Sequence, residues 1–116
     1  MKFFIPGGAG YIGTHISYML LENDHDVVIL DNFSNSSISS INSLENLSGK
    51  KVILYKGDVC NEEILSNIFN VHSFDGVIHL AALKSVSESI EQPKMYHNNN
   101  VEGTKCLLAA MRSFDI

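Results

Sequence analysis

Three glycines at fixed spacing near the N-terminus constrain the fold of this chain more than any other feature. The segment IPGGAGYIGTH (residues 5–15) contains Gly8-x-Gly10-x-x-Gly13, and Gly7 adds a second, overlapping register. The apolar run KFFI precedes the glycines, and a segment with apolar residues at helical spacing follows them. This order predicts a strand, a tight glycine loop and a helix, with something approaching the loop backbone closely.

Apolar runs and amphipathic segments alternate along the rest of the chain. Predicted strands cover residues 2–5, 25–31, 51–58 and 75–82, and predicted helices cover residues 11–23, 38–47, 61–70 and about 93–112. The second helix is the weakest prediction because serine and asparagine are poor helix formers, and a Ser-rich loop is expected after the fourth strand.

This alternation predicts an α/β fold with parallel strands joined by helical crossovers. We expect a Rossmann-like, doubly wound parallel sheet in three layers. The sheet is expected to be incomplete, with about four strands, because a doubly wound sheet normally carries a fifth. Residues 1–116 are predicted to form one nucleotide-binding domain, the N-terminal portion of a longer architecture from which the later strands and a substrate domain are absent.

Composition excludes several classes of function. With 45% hydrophobic and 18% charged residues, the chain is typical of a globular protein. Its net charge is -5 and its few basic residues do not cluster, so we expect no nucleic-acid partner and no membrane partner. No apolar run approaches the ~20 residues of a membrane span. Cys60 and Cys106 lack metal-site spacing and are interpreted as reduced thiols of a cytoplasmic protein, and no metal site is predicted.

The glycine loop has an acidic partner in the second predicted strand, which ends at Asp31. A missing Cβ at Gly7 or Gly8 permits the tight turn, one at Gly10 lets backbone N–H groups reach a pyrophosphate, and one at Gly13 lets the helix pack on the strand. The helix N-terminus attracts an anion with ~0.3–1 kcal/mol. Asp31 would accept hydrogen bonds from ribose hydroxyls and repel a 2′-phosphate, which favours NAD over NADP. The alternative is a strand-to-helix turn without a ligand.

With these residues in place, the chain resembles the extended short-chain dehydrogenases/reductases, and within them the UDP-glucose 4-epimerases, also called UDP-galactose 4-epimerases. The matching segments are GGAGYIGTH, HDVVILDNFSNSS, GDV, VIHLAALKSVSESI and NNNVEGT, which together span residues 7–104. LDNFSNS and the lysine of ALKSVSES distinguish the epimerases from the sugar-nucleotide dehydratases. The chain departs from the pattern at Pro6, where the family usually has threonine, and we expect a tolerated but weakened glycine loop.

The resemblance, together with the glycine motif, implies NAD contacts from five parts of the chain. They are Gly7, Gly10, Tyr11, Ile12 and Gly13 in the glycine loop; Asp31, Asn32, Phe33, Ser34, Asn35 and Ser36 at the ribose; Asp58 and Val59 at the adenine; Leu80, Ala81, Ala82, Leu83 and Lys84 at the nicotinamide ribose and pyrophosphate; and Asn99.

Four polar residues of this region also have purely structural interpretations. Asp58 could cap the following helix, Lys84 could be a solvated surface lysine, and Asn99 could be an ordinary polar helix position. His79 is better interpreted as a hydrogen-bonded core histidine than as a catalyst.

The resemblance also implies an activity, the interconversion of UDP-glucose and UDP-galactose by transient oxidation at C4 and return of the hydride. That reaction uses a Tyr-x-x-x-Lys pair. No tyrosine here has a lysine four positions later; the four are Tyr11, Tyr18, Tyr55 and Tyr96. No catalytic residue is therefore predicted, and whether the chain is an enzyme stays open.

Three functions remain as hypotheses. The first is the NAD-binding portion of an epimerase of galactose metabolism, which would use a UDP-sugar when complete and be inactive alone. The second is a small, non-catalytic nucleotide-binding module that associates through its unpaired fourth strand and last helix. The third is one half of a split enzyme. Self-association is expected because sheet neighbours are missing.

Overall fold

The computed structural model describes all 116 residues as a parallel sheet flanked by helices. The sheet has four strands in the order β3-β2-β1-β4. The strands are β1 (Lys2–Pro6), β2 (Asp26–Asp31), β3 (Ile53–Lys56) and β4 (Gly76–Val77). The helices are α1 (Tyr11–Glu22), α2 (Ile38–Ser48), α3 (Glu62–Val71), α4 (Val86–Glu91), α5 (Pro93–Tyr96) and α6 (Gly103–Ser113), with a π-helical segment (His97–Glu102) between the last two. None of these helices combines the length and the apolarity needed to cross a membrane.

Side chains of the two central strands alternate between two hydrophobic clusters, one on each face of the sheet. Phe4 and Leu30 point into the cluster covered by α3 and α6. Ile5 and Ile29 point into the cluster covered by α1 and α2. Because successive side chains of a strand face opposite sides, an apolar run of this kind is buried on both faces. The predicted α/β class, with a Rossmann-like parallel sheet between two helical layers, is confirmed.

The second helix forms in spite of its poor intrinsic propensity because it is capped at both ends and packed on one side. Ser37 Oγ accepts a hydrogen bond from the Ser39 N–H, and Gly49 ends the helix at φ 70°. Ile41 and Leu44 are each 3% exposed in the core beneath it. Tertiary packing thus outweighs the serines and asparagines of its outer face.

The fourth strand is shorter than predicted. A strand was expected over residues 75–82, whereas regular pairing covers only Gly76–Val77. The Leu80 N–H still donates to the Pro6 carbonyl, 2.8 Å away. In a parallel ladder, a residue whose carbonyl accepts such a bond also donates its own N–H to the same neighbouring strand, two residues before the first partner. For position 6 that acceptor is the Ile78 carbonyl. Pro6 has no N–H, so the Ile78 carbonyl accepts no bond from β1 and the regular ladder ends early.

The region after the fourth strand also differs from the prediction. The expected Ser-rich loop contains α4, whose N-cap Ser85 accepts a bond from the Glu88 N–H through its hydroxyl. The single helix predicted over residues 93–112 is interrupted by the π-helical segment. Gly103 allows close packing there, since a Cβ would lie 2.9 Å from Val59 Cγ1. Serine was interpreted as a loop former, but here it caps a helix.

Candidate functional site

A cleft opens at the carboxyl ends of the strands, between the loop after β1 and the segment after β4. Strand order reverses here, because β1 has β2 on one side and β4 on the other, and this is where open α/β sheets bind ligands. Twenty-one residues line the cleft, and all but three of them were predicted to contact a cofactor. The three additional residues are Pro6, Leu30 and Gly57.

Phe33 is the one predicted contact residue that does not line the cleft. It has a positive φ of 58° and its ring packs against the core cluster under α1 and α2. Its backbone N–H donates to Asp31 Oδ1 at 2.8 Å. Phe33 therefore shapes the loop after β2 and does not face the cleft itself.

Two glycines of the loop are required by the protein's own packing. Gly7 has φ +81°, and a Cβ there would lie 2.5 Å from the Ala81 nitrogen. A Cβ on Gly13 would lie 2.6 Å from the Gly7 carbonyl oxygen. Real Cβ atoms do not approach other atoms so closely, so both positions are restricted to glycine by the turn and by helix packing, as predicted.

Gly10 differs, because no part of the protein crowds it. A Cβ there would meet nothing closer than the Gly7 carbonyl oxygen at 3.5 Å, and its φ of -73° suits any residue. The folded chain by itself thus gives no reason for glycine at this position. The free space lies in the cleft, which Gly10 lines together with Tyr11 and Ile12.

The N-terminus of α1 lies in the cleft without a cap. No side chain accepts hydrogen bonds from its first N–H groups, and no acidic residue stands in its first turn. By contrast, Asn61 Oδ1 caps α3 by accepting from the N–H groups of Glu63 and Ile64. Because the first turn of a helix leaves its N–H groups without internal partners, α1 presents unpaired donors and a positive dipole end to the cleft.

Asp31 connects the glycine loop with the loop after β2. Oδ2 accepts from the Ala9 N–H at 3.0 Å, while Oδ1 accepts from the Phe33 N–H and from Ser36 Oγ at 3.1 Å. A carboxylate offers about four acceptor positions, so one remains free on Oδ2. Ser36 Oγ, whose proton is donated to Asp31, can in turn accept a bond. This pair presents acceptors to the cleft at the place predicted for a ribose.

Asp58 lies at the end of the cleft predicted for an adenine. It does not cap α3, since Asn61 is the N-cap of that helix, so the alternative structural interpretation is wrong. Asp58 Oδ1 instead accepts from the Cys60 N–H at 2.8 Å and forms a turn after β3. Burial, followed by the negative charge of Asp58, raises the pKa of Cys60 to about 11, so this thiol stays protonated and unreactive near neutral pH.

Lys84 is the only cation that lines the cleft. Its side chain is exposed and takes part in none of the ion pairs or side-chain hydrogen bonds of the structure. It faces a cleft that otherwise carries the carboxylates of Asp31 and Asp58. Lys84 therefore supplies the only positive side chain that an anionic ligand would meet there.

His79 has the structural role expected of it. The Thr104 hydroxyl donates to the Asn100 carbonyl at 2.6 Å, so His79 Nε2 must carry the proton in its 3.0 Å contact with Thr104 Oγ1. Burial lowers the pKa of His79, which favours this neutral form. No group of three metal-ligating side chains occurs in the structure.

Sequence reasoning missed residues whose signal is weak. Gly57 lines the cleft because it follows the third strand, and a Cβ there would lie 2.5 Å from Ile64 Cδ1. Asn99, which was predicted to contact NAD, lines the cleft and donates to Asn100 Oδ1 at 2.9 Å. The neighbouring Asn100 was not selected, because its amide contacts with Leu83 follow only from the path of the π-helical segment.

Comparison with known proteins agrees with this geometry. The sequence model of the GDP-mannose 4,6 dehydratase family matches residues 4–116. The chain is 47% identical over 113 residues to a UDP-glucose 4-epimerase of Erwinia amylovora, covering 97% of this chain and 34% of that protein. It is 44% identical to a UDP-glucose 4-epimerase of Klebsiella pneumoniae, covering 97% of this chain and 81% of that protein.

A solved structure has the same fold over the full length of this chain. The UDP-glucose 4-epimerase from Bifidobacterium longum, crystallised in complex with NAD+ and UDP, superposes with a TM-score of 0.99 at 38% identity, covering 100% of this chain and 35% of that chain. The chain spans about a third of the length of the Erwinia amylovora relative and about four fifths of the Klebsiella pneumoniae relative. The chain therefore belongs to the GDP-mannose 4,6 dehydratase family and, by its curated relatives, to the UDP-glucose 4-epimerases, whose N-terminal portion it matches.

Proposed function

We propose that this chain is the NAD-binding portion of a UDP-glucose 4-epimerase and that the cleft at the carboxyl ends of the strands is its NAD site. The observation that carries the proposal is the uncapped N-terminus of α1 beside the uncrowded Gly10. Unpaired backbone donors and a positive dipole end suit a pyrophosphate, and free space at Gly10 lets it approach. When bound, NAD supplies hydride acceptance from C4 of the sugar and hydride return.

The remaining cleft residues suit the other parts of the dinucleotide. The free acceptor of Asp31 Oδ2 and the oxygen of Ser36 would each bind one ribose hydroxyl. The turn at Asp58 and Val59 would hold the adenine, and Lys84 would contact the oxygens at the nicotinamide end. A carboxylate at the ribose disfavours the 2′-phosphate of NADP because the two charges repel.

Substitution of Gly10 tests the proposal against packing effects. In Gly10→Ala the added methyl group contacts no protein atom closer than 3.5 Å, so the melting temperature should change by no more than about 2 °C. It occupies the space proposed for the pyrophosphate, so NAD affinity measured by calorimetry should fall at least about tenfold, or ~1.4 kcal/mol.

Gly13→Ala is the matched control, since its methyl group would lie 2.6 Å from Gly7 backbone. It should lower the melting temperature by several degrees, from a loss of ~1–3 kcal/mol. Unchanged NAD affinity in a normally folded Gly10→Ala chain would contradict the proposed site.

The 116 residues are further proposed to bind NAD without turning over UDP-galactose, because no Tyr-x-x-x-Lys pair lies within them. In the complete enzyme of galactose metabolism, which we place in the cytoplasm, that pair and the grip on the UDP-sugar would come from other residues. Epimerisation of UDP-galactose by the purified chain with NAD would overturn this part of the proposal.

A second candidate function, a nucleotide-binding module that associates with copies of itself, is favoured by exposed apolar residues. Val101 and Leu108 are 42% and 58% exposed on the last helical segments, and β4 is paired on one side only. Light scattering of the isolated chain should show dimers or larger species, because association would cover this apolar surface. A monodisperse monomer at ~100 μM would rule the candidate out.

A further inference from the structure

The backbone on both sides of Lys84 is held by two side chains from the helical region that follows it. Asn100 Oδ1 accepts from the Leu83 N–H at 2.8 Å, and Asn100 Nδ2 donates to the Leu83 carbonyl at 2.8 Å. The Tyr96 hydroxyl accepts from the Ser85 N–H at 3.0 Å. No other hydrogen bond serves these two N–H groups. Tyr96 and Asn100 therefore form a two-point clamp that encloses Lys84.

Each member of the clamp is itself fixed. Tyr96 is buried, and its hydroxyl donates to Glu88 Oε1 at 2.9 Å. Burial, and then the bond to Glu88, raises the pKa of Tyr96, so the phenol keeps the proton that this arrangement needs. Asn100 receives a bond from Asn99 Nδ2, and the Thr104 hydroxyl donates to the Asn100 carbonyl at 2.6 Å. A side chain that several hydrogen bonds hold in place keeps the backbone group it binds in a defined position.

The π-helical segment is also tied to the opposite wall of the cleft. Cys60 Sγ donates to the Asn98 carbonyl at 3.4 Å, and Gly103 brings α6 close to Val59. The same segment thus contacts the loop after β3 on one side and the segment after β4 on the other. π-Helical turns within α-helices occur frequently at functional sites.

We propose that Tyr96 and Asn100 are positioning residues, which fix the Lys84 backbone so that its ammonium group meets the oxygens of bound NAD. The proposal rests on the proposed function, because it assumes that the cleft binds NAD. Lys84 has no protein partner for its side chain, so the placement of its charge depends on the backbone that carries it. Loss of the clamp leaves the charge in the chain but widens its range of positions, which weakens binding.

A double-mutant cycle tests whether the clamp acts through Lys84. NAD affinity is measured by calorimetry for the wild type, Tyr96→Phe, Lys84→Met and the double variant. Tyr96→Phe keeps the buried ring and removes only the hydroxyl. It should weaken NAD binding about threefold to tenfold in the wild-type background and less than about twofold in the Lys84→Met background. Tyr18→Phe is the matched control, since its hydroxyl makes no hydrogen bond, and it should leave the affinity unchanged.

Two results would overturn the proposal. Equal weakening by Tyr96→Phe in both backgrounds would mean that the tyrosine acts only on general stability. No weakening in either background would mean that the clamp does not affect binding. If the wild type fails to bind NAD at all, the proposed function fails first, and the clamp is then judged by a measurement without ligand.

That measurement is amide hydrogen exchange at the two clamped positions. Tyr96→Phe should speed exchange of the Ser85 amide at least about tenfold, and Asn100→Ala should do the same for the Leu83 amide. Asn46→Ala serves as the control for the amide side chain, since Asn46 is exposed and makes no side-chain hydrogen bond. Unchanged exchange at Leu83 and Ser85 would show that the clamp does not hold this segment.

Discussion

The glycine loop shows how much a few residues can determine. Gly7 and Gly13 are fixed by contacts within the protein, whereas Gly10 is fixed by none. The packing roles predicted for Gly7 and Gly13 are visible in the structure, because the steric demand of a strand-to-helix turn can be derived from spacing alone, whereas the pyrophosphate contact of Gly10 stays a prediction. Sequence reasoning did not foresee that Asp31 would already accept three hydrogen bonds from its own chain, since these depend on how two loops meet.

Pro6 ends β1 directly before the glycine loop and has no N–H to donate, and its effect can be measured. Pro6→Thr restores an N–H facing the Ile78 carbonyl, and pairing that carbonyl is worth ~1–3 kcal/mol. Loss of the proline's restriction on the unfolded chain costs ~0.4–1 kcal/mol. We expect a melting temperature raised by a few degrees, measured by calorimetric scanning, and tighter NAD binding.

The control for this change is Pro93→Thr. Pro93 is exposed at the start of α5, where an N–H has no partner within the helix. Its replacement therefore only increases the conformational entropy of the unfolded chain, and the melting temperature should fall slightly. An unchanged melting temperature together with unchanged NAD affinity for Pro6→Thr would show that the proline does not weaken the loop.

Four elements with a strong periodic pattern were predicted well. β1, β2, α1 and α3 lie within two residues of their expected bounds because each buries a continuous apolar face. α4 was missed because it has only six residues and none of them is buried, so it carries no apolar periodicity. The π-helical turn was missed because no local pattern marks it, and its contacts are with Cys60 and Leu83, which lie far away in the sequence.

A histidine near the start of β1 contacts three elements and makes the free energy of unfolding depend on pH. His72 follows α3, its Nδ1 lies 3.3 Å from Lys2 Nζ on β1, and its Nε2 lies 3.0 Å from Tyr55 Oη on β3. A lysine ammonium can only donate, so Nδ1 accepts and Nε2 carries the proton. Burial, and then the charge of Lys2, lowers the pKa of His72. The folded state therefore favours the neutral ring.

The sign of the resulting pH dependence follows from linkage. With the folded pKa below the unfolded value of about 6.5, the unfolded chain takes up the proton first as the pH falls. The free energy of unfolding should thus be constant above about pH 7.5 and decrease as the pH is lowered through about 6.5 towards 5. Urea midpoints at pH 7.5 and 5.5 measure this. His72→Phe should reduce the difference without abolishing it, because the pKa of His79 is lowered as well. A midpoint that stays constant or rises on acidification would contradict the assignment.

The architecture of the molecule could be predicted from the sequence more completely than the length of each strand. The order of strands and helices along the chain follows from pattern, and the three layers follow from burial on both faces of β1 and β2. The early end of regular β4 pairing could not be predicted, because it results from one proline meeting one carbonyl across the sheet. Most of the residues predicted to contact NAD line one cleft, since the carboxyl ends of parallel strands meet at one edge, and their contacts with NAD stay a prediction.

The central claim is that this cleft binds NAD and that Asp31 selects the ribose. Its most direct test is calorimetric titration of the wild-type chain with NAD and with NADP under the same conditions. A carboxylate that accepts from a ribose hydroxyl should make NAD bind at least about tenfold more tightly than NADP, a difference of ~1.4 kcal/mol. Equal affinities for the two dinucleotides, or no binding of either, would contradict the account.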